Sequence, residues 1–241
     1  MCGRVALKHY KWDRQPDFLP RSCITHFDLQ GIDWRFNVAP TLTIPILRTT
    51  AEGTEAIGAR WWLVPRAITD IKSWKYSTFL ARTEEMESKR TFAEPWERGQ
   101  RCVIPVAAAY EWNREQEPSQ PYAITRRDET WMLLGGLWEE GPTGVSCAML
   151  TMKSNDLFRP IHNRMPLAFS DEDTALAWLN PDVAPEEARA MMRSWDPSPY
   201  QAYPVSRFVS STKNEGAECM EPLRESTNQV DYGPLFDMPA L

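Results

Sequence analysis

The stretch VIPVAAAYEW, residues 103–112, indicates the fold class most clearly. It is a short, almost wholly apolar run that ends in aromatic residues, which is typical of a buried β-strand. Four other runs have the same character, and frequent Pro and Gly residues separate them. They are TIPILRTT (43–50), AIGARWWLVP (56–65), TWMLLGGLWEE (130–140) and VSCAMLTM (145–152).

Helical patterns are fewer than strand patterns. SDEDTALAWLN (170–180) has Ser170 as a candidate N-cap ahead of an apolar stripe, and APEEARAMMRSW (184–195) has acids early and Arg193 late. The sequence therefore predicts an α+β fold: a single domain of curved, mostly antiparallel β-sheets with peripheral helices. We expect this domain to span residues 1–225, followed by a C-terminal tail, 226–241, that lacks periodicity.

The composition is that of an ordinary globular protein, with 25% charged and 42% hydrophobic residues. The net charge of -6 argues against a general DNA-coating protein, because phosphate neutralisation usually requires a basic surplus. A function on DNA would need a local cluster of Arg and Lys. The eleven Trp residues can serve the core or stack on bases.

Targeting and metal signals are absent from the sequence. The start MCGRVALKHYKW lacks the apolar core of a signal peptide, and no run is long enough for a membrane span. The five Cys form no CxxC pair and no zinc spacing. We therefore expect a cytoplasmic protein with reduced thiols, no metal and no cofactor.

Cys2 is the most distinctive candidate for chemistry, because it directly follows the initiator Met1. Removal of Met1 would leave an α-amine and a thiol on neighbouring carbons. The amine, with a reference pKa of about 7.7–8.0, can attack an aldehyde to form a Schiff base, and the thiol can then close a thiazolidine ring. The alternative is that Cys2 is a small buried hydrophobe, as free Cys often is.

The neighbouring residues make a reactive role more plausible. Gly3 allows close approach of the backbone to a ligand, and Arg4 can pair with phosphate in bidentate fashion. Asn37 precedes an Ala-Pro turn, and Glu111 ends the apolar run quoted above. His162 lies between two arginines in RPIHNRMP (159–166). Taken singly, Glu111 also fits a surface acid at a strand end and His162 a loop histidine.

Together these segments resemble the SRAP family (SOS response-associated peptidase), the abasic-site processing proteins. The resemblance covers about residues 1–223. Its matching pieces, in family order, are MCGR (1–4), FNVAPT (36–41), ARTEEM (81–86), RCVIPVAAAYEW (101–112), LGGLWE (134–139), IHNRMP (161–166) and YPVSRFVSSTKNEGAECMEPL (203–223).

The resemblance implies curved β-sheets and helices around a positively charged cleft. It also implies recognition of abasic sites in single-stranded DNA and a thiazolidine crosslink through the N-terminal Cys, with lyase-type chemistry and peptidase-like removal of Met1. Cys2 matches the family nucleophile. Glu111 matches the glutamate that handles protons during Schiff-base formation and Met1 removal, and His162 matches the histidine linked to ring chemistry and crosslink reversal.

The same resemblance assigns a set of residues to the DNA path. These are Gly3, Arg4, Asn37, Pro40, Arg82, Arg90, Thr151, Arg164, Met165 and Pro166, with Trp61 or Trp74 as the base-stacking surface. We further expect Arg4, Arg82, Arg90 and Arg164 to converge on one face with Cys2. The expected partner is single-stranded DNA with abasic sites, and the sequence identifies no protein partner.

One departure from the family pattern concerns the sugar. The family usually has Asn before the Ala-Arg of residues 81–82, and this chain has Leu80. Loss of a hydrogen-bond donor aimed at a reacting oxygen typically costs about two to three orders of magnitude in rate. Two other functions stay open: an N-terminal-nucleophile amidohydrolase that uses Cys2, and a non-covalent single-strand binder that would not need Cys2.

Overall fold

The computed structural model of the chain describes residues 3–7, 24–32 and 34–223. The strands are β1 (Val5–Ala6), β2 (His26–Asp28), β3 (Thr43–Thr50), β4 (Gly53–Trp61), β5 (Leu80–Arg82), β6 (Arg101–Val106), β7 (Ala108–Asn113), β8 (Gln120–Arg126), β9 (Met132–Gly141), β10 (Gly144–Lys153), β11 (Arg164–Pro166), β12 (Ala168–Phe169) and β13 (Tyr200–Pro204). The α-helices are α1 (Arg90–Glu97), α2 (Glu172–Leu179) and α3 (Pro185–Met191). The predicted tail, 226–241, lies outside the described residues.

The strands form two sheets. The smaller one has the order β1-β7-β8-β13, and all its pairings are antiparallel. In the larger sheet, five strands pair in a closed ring with the order β3-β4-β10-β9-β6. The ring closes because β9 pairs with both β6 and β10, and β6 pairs with β3. Three short strands add to this ring: β2 pairs with β4, and β5 and β11 pair with β10. The predicted α+β fold of curved, mostly antiparallel sheets is confirmed.

The stretch 103–112 connects the two sheets. Its first part is strand β6 of the larger sheet, its last part is β7 of the smaller one, and Ala107 lies between them. Every residue from Arg101 to Glu111 is buried. We predicted one buried strand here, whereas the chain forms two strands in different sheets, because both sheets bury their inner faces in one hydrophobic core.

Close packing of the larger sheet explains the glycines of LGGLWE. A Cβ at Gly136 would lie 2.8 Å from the carbonyl oxygen of Ala148 and 2.9 Å from Cys102 Sγ. Only glycine fits between these two neighbouring strands without moving them.

The helices differ in detail from the sequence prediction. Helix α2 begins after Asp171, whose side chain accepts a hydrogen bond from the Thr174 N–H, and not after Ser170. Helix α3 ends at Met191, earlier than the pattern 184–195 suggests. Helix α1 was not predicted, because it is short and contains Pro95. Within the described part of the chain, no helix is both long and apolar enough to cross a membrane.

Candidate active site

Glu111 lies beside the first described residues of the chain. Strand β1 pairs with β7 so that Val5 faces Ala109, and the Tyr110 N–H donates to the Arg4 carbonyl at 3.0 Å. One further step in this antiparallel register brings Gly3 opposite Glu111. Glu111 is 1% exposed, and its Oε1 accepts a hydrogen bond from the Trp112 N–H at 3.3 Å. The strand pairing thus holds a buried carboxylate next to the chain start.

His162 is held by the loop that follows β10. Its N–H donates to the Phe158 carbonyl at 2.8 Å, and its ring Nδ1 accepts the Arg164 N–H at 3.0 Å. Because Nδ1 is an acceptor, the proton of the neutral ring is on Nε2. Burial lowers the pKa of His162 below its usual value, and the nearby Glu111 carboxylate opposes that effect. The imidazole is therefore neutral at pH 7.

A hydrogen bond joins these two parts of the site. The Asn113 side-chain Nδ2, at the end of β7, donates to the Pro160 carbonyl at 3.1 Å. This contact ties the strand that carries Glu111 to the loop that carries His162. The structure therefore brings together the two acid–base residues that the sequence predicts. Cys2, the predicted nucleophile, lies outside the described residues.

Arg164 connects the His162 loop to the turn after β5 and to strand β10. Its guanidinium makes two hydrogen bonds of 2.9 Å to the Glu84 carboxylate and one of 2.6 Å to the Thr151 carbonyl. Thr151 is also the backbone partner of Arg82 in the β5–β10 pairing. The backbone of Arg82 and the side chain of Arg164 therefore both adjoin Thr151. Both already have carboxylate partners, because Arg82 is 2.8 Å from Glu85.

Arg4 and Asn37 form a second, buried cluster. Arg4 Nη1 donates to Asn37 Oδ1 at 2.6 Å and to the Val209 carbonyl at 2.8 Å. Asn37 Nδ2 in turn donates to the carbonyls of Ser211 and Asn214 at 2.9 and 2.8 Å. Burial lowers the pKa of the Arg4 guanidinium. These contacts correct the expectation of direct DNA contact, because both side chains are buried and bind the protein itself.

Three other predicted DNA contacts are also buried. Thr151 is 1% exposed, Met165 has no exposed surface, and Pro166 is buried in the β10–β11 pairing. This burial corrects the expectation that their side chains contact DNA. Through the pairing of β10 with β11, these residues position Arg164 and the loop that carries His162. Gly3 and Pro40 are half-buried and keep some accessible surface.

Arg90 has its ion-pair partner on its own helix. It lies at the start of α1, its side chain is 92% exposed, and its ion pair is with Glu94 on the same helix. This i, i+4 pair on the helix surface occupies the Arg90 guanidinium. The convergence of the four arginines on one face with Cys2 stays a prediction.

The two tryptophans proposed for base stacking differ in exposure. Trp61 has no exposed surface, and its indole N–H donates to the Phe79 carbonyl at 2.9 Å. A fully buried ring cannot stack on a base, so the expectation for Trp61 is wrong. Trp74 is half-buried, and its ring contacts that of Tyr76 at a centroid distance of 4.9 Å. Leu80 is half-buried in β5, opposite Met149.

Sequence reasoning missed the acidic partners in this site. Glu84 is separated from Arg164 by eighty positions, so no local pattern signals their pairing. Arg114 also escaped notice, although its charge helps to lower the pKa of His162. Among the described residues, no group of three His, Cys, Asp or Glu side chains is arranged to hold a metal ion.

Comparison with known proteins identifies the family. The model of the SOS response associated peptidase (SRAP) family matches residues 1–212. The chain belongs to the SRAP family. One relative is the abasic site processing protein YoqW of Bacillus subtilis, 31% identical, in a match that covers 92% of this chain and 99% of YoqW. Another is the abasic site processing protein HMCES of Xenopus tropicalis, 27% identical over 91% of this chain and 78% of HMCES.

Solved structures of other proteins agree with the architecture described above. A protein from Bacteroides thetaiotaomicron superposes with a TM-score of 0.74 at 21% identity, and covers 92% of this chain and 100% of its own. A protein from Bordetella bronchiseptica gives a TM-score of 0.70 at 22% identity, over 85% of this chain and 100% of its own. At this level of identity the likeness concerns the fold alone.

Proposed function

We propose that this SRAP protein processes abasic sites in single-stranded DNA by capturing the opened sugar covalently through Cys2, after Met1 has been removed. The observation that carries the proposal is the proximity of Glu111 and His162 to each other and to the described segment that starts at Gly3 and leads into β1. The names of the curated relatives, which are abasic site processing proteins, support the same substrate.

Covalent geometry limits where the nucleophile can be. Cys2 is bonded to Gly3, and consecutive Cα atoms are about 3.8 Å apart. Since Gly3 is the register partner of Glu111, the carboxylate lies beside the described residue to which Cys2 is bonded. This proximity supports a role of Glu111 in both Met1 removal and Schiff-base formation.

The proposed reaction needs no external oxidant or reductant. The Cys2 amine attacks C1′ of the ring-opened sugar aldehyde, and the resulting carbinolamine loses water to give an imine. The Cys2 thiol then adds to the imine carbon, and its proton passes to the nitrogen. One C–N bond and one C–S bond form, the C=O bond is lost, and one water leaves.

Glu111 and His162 suit different proton transfers. Glu111 can take a proton from the attacking amine and return it to the departing hydroxyl. His162, neutral and protonated on Nε2, can donate a hydrogen bond from Nε2, and its Nδ1 is fixed by the Arg164 N–H. We assign His162 to the sugar oxygen and to crosslink reversal, because reopening of the ring needs a proton donor near the captured sugar.

The decisive experiment is incubation of the mature protein with an oligonucleotide that contains one abasic site, followed by a denaturing gel and intact mass. The expected product is the mass of the protein without Met1 plus that of the DNA minus one water. Cys2→Ala should abolish it, and an oligonucleotide with a tetrahydrofuran abasic analogue, which lacks the aldehyde, should give no adduct.

Other outcomes separate the alternative functions. Retention of DNA by Cys2→Ala equal to that of the unsubstituted protein, with no covalent product from either, would indicate a non-covalent single-strand binder. Turnover of an amide substrate by a protein that stays free of DNA would indicate an amidohydrolase. Retention of Met1 in most molecules would exclude the thiazolidine mechanism for that preparation.

A further inference from the structure

Tyr76 stands out among the described residues, because it is 70% exposed while almost every other large hydrophobic side chain is at least partly buried. It lies in the segment 70–79, here called the aromatic turn, between strands β4 and β5. An exposed aromatic ring offers a flat face on which a nucleic-acid base can stack. The question is which ligand this surface fits.

Hydrogen bonds within the aromatic turn define its conformation. Asp70 caps a short 3-10 helix, Ile71–Ser73: its Oδ1 accepts the Lys72 N–H at 2.9 Å and its carbonyl accepts the Ser73 N–H at 3.0 Å. Trp74 then follows, and its indole N–H donates to Thr78 Oγ1 at 3.2 Å. These bonds hold the segment in one conformation, so a ligand would not have to order it.

Two pairs of rings lie in or against the turn. Tyr76 contacts Trp74 with ring centroids 4.9 Å apart, and Trp62 stacks on Phe79 at 5.5 Å with an angle of 26° between the planes. Tyr76 is exposed, and Trp74, Trp62 and Phe79 are half-buried. Trp74 thus supports Tyr76 from one side and leaves part of its ring accessible for stacking.

The charge of this region is opposite to that of the whole protein. Between Ile57 and Thr83 the chain has one acidic residue, Asp70, and five basic ones, which are Arg60, Arg66, Lys72, Lys75 and Arg82, in a protein with a net charge of -6. Lys72 and Lys75 are exposed, and neither takes part in the salt bridges of the described residues. Unpaired cations beside an exposed ring match a ligand that has both an anionic group and a flat face.

The aromatic turn leads directly into the site. The Phe79 carbonyl accepts the Met149 N–H at 3.0 Å, Leu80 then faces Met149, and Arg82 faces Thr151. Tyr76 is four residues before Leu80, so the two are at most about 14 Å apart along the chain. A nucleotide bound at the turn would therefore be a near neighbour of the abasic position.

We propose that the aromatic turn is a subsite for an intact nucleotide that flanks the abasic site, with the base stacked on Tyr76 and the phosphate beside Lys72 and Lys75. This inference rests on the proposed function and extends it to the undamaged part of the strand. The subsite would hold the strand while the sugar reacts elsewhere, so it contributes to affinity and not to the chemical step.

The test measures affinity for an intact single strand by fluorescence anisotropy. Tyr76→Ala should weaken binding by about tenfold, since stacking of one base on an aromatic side chain is worth about 1–3 kcal/mol. Tyr76→Phe keeps the ring and should bind as the unsubstituted protein does. Leu223→Ala, which removes the other large exposed hydrophobic side chain (44% exposed), is the matched control and should have no effect.

Two further measurements identify the contacts. Replacement of both lysines, Lys72→Gln with Lys75→Gln, should lower the salt slope by about 0.7 for each lost phosphate contact, whereas Arg193→Gln should not. With a strand whose bases are all replaced by abasic spacers, the unsubstituted protein and Tyr76→Ala should bind equally, because no base is left to stack.

The outcomes separate this inference from the proposed function. Undiminished affinity of Tyr76→Ala for the intact strand would overturn the subsite, as would a tenfold loss that persists on the base-free strand. At saturating abasic DNA, Tyr76→Ala should still crosslink at the rate of the unsubstituted protein. Absence of crosslinking in every protein, together with weaker binding by Tyr76→Ala, would refute the covalent function and leave the subsite standing.

Discussion

Replacement of Leu80 by Asn tests whether the leucine at the position of the family Asn slows the proposed crosslinking. Leu80 is half-buried in β5, next to Ala81 and Arg82. If the opened sugar lies against this strand, its hydroxyls face an apolar side chain, and an unpaired polar group costs about 1–3 kcal/mol. An amide that pairs with the hydroxyl in the transition state should therefore speed crosslinking by about 5- to 150-fold.

The substitution also has a cost in stability that can be measured separately. Full burial of a Leu side chain contributes about 1.5–3 kcal/mol, so a half-buried one contributes about 1 kcal/mol. We expect Leu80→Asn to lower Tm by about 2–4 °C. Leu176→Asn is the matched control, because Leu176 is also half-buried but lies on helix α2. It should lose similar stability without any gain in rate.

The assay is the single-turnover rate on one abasic oligonucleotide at fixed salt, with affinity for the intact strand measured in parallel. Leu80→Asn should leave that affinity nearly unchanged. A rate equal to or below that of the unsubstituted protein would refute the reasoning. It would mean that the site is built around leucine and that the resemblance is a poor guide to the sugar contacts.

Three other predictions concern the ionisable residues of the site. Glu111→Gln should slow crosslinking by about 10²–10⁴-fold under single-turnover conditions, and an unchanged rate would remove Glu111 from the mechanism. Glu84→Gln should strengthen binding of single strands at low salt by about two- to fivefold, because Arg164 loses its bidentate carboxylate partner. An unchanged affinity would show that phosphate does not compete with Glu84 for Arg164. Because burial lowers the pKa of His162, the unfolded chain takes up a proton at this residue at a higher pH than the folded chain, so stability should fall as the pH drops below about 6.5. His162→Gln should reduce that fall in thermal unfolding, whereas His26→Gln, at an exposed position, should not.

The sequence predicted the parts of the fold that depend on local pattern. Strand β3 matches the predicted run 43–50 at both ends, and β10 extends the predicted run 145–152 by one residue at each end. Helix α1 escaped because Pro95 interrupts its pattern. The division of residues 103–112 between two sheets was also not predicted. Only the pairing of β6 with β9 and of β7 with β8 assigns the two halves of this stretch to different sheets.

The site was predicted less completely, for a physical reason. Motifs pointed to Glu111 and His162 as candidates. Whether a side chain is buried or already paired, however, depends on partners that are distant in sequence. Arg164 is neutralised by Glu84, and Trp61 is buried under a contact with Phe79. Residue type alone could not distinguish an arginine that is available for phosphate from one that is already paired.

The cluster around Asn37 has a consequence for any shortened version of the protein. Arg4 is tied to the Val209 carbonyl across 205 positions, and Asn37 is tied to Ser211 and Asn214. A fragment that stops before residue 209 would keep every residue assigned to chemistry. It would remove the carbonyl that accepts from Arg4 and the carbonyls that accept from its partner Asn37. Arg4, Asn37 and the segment 209–214 thus depend on one another for their hydrogen bonds. If the proposed reaction at Cys2 is correct, cleavage in that distant segment should lower it without touching any residue assigned to chemistry.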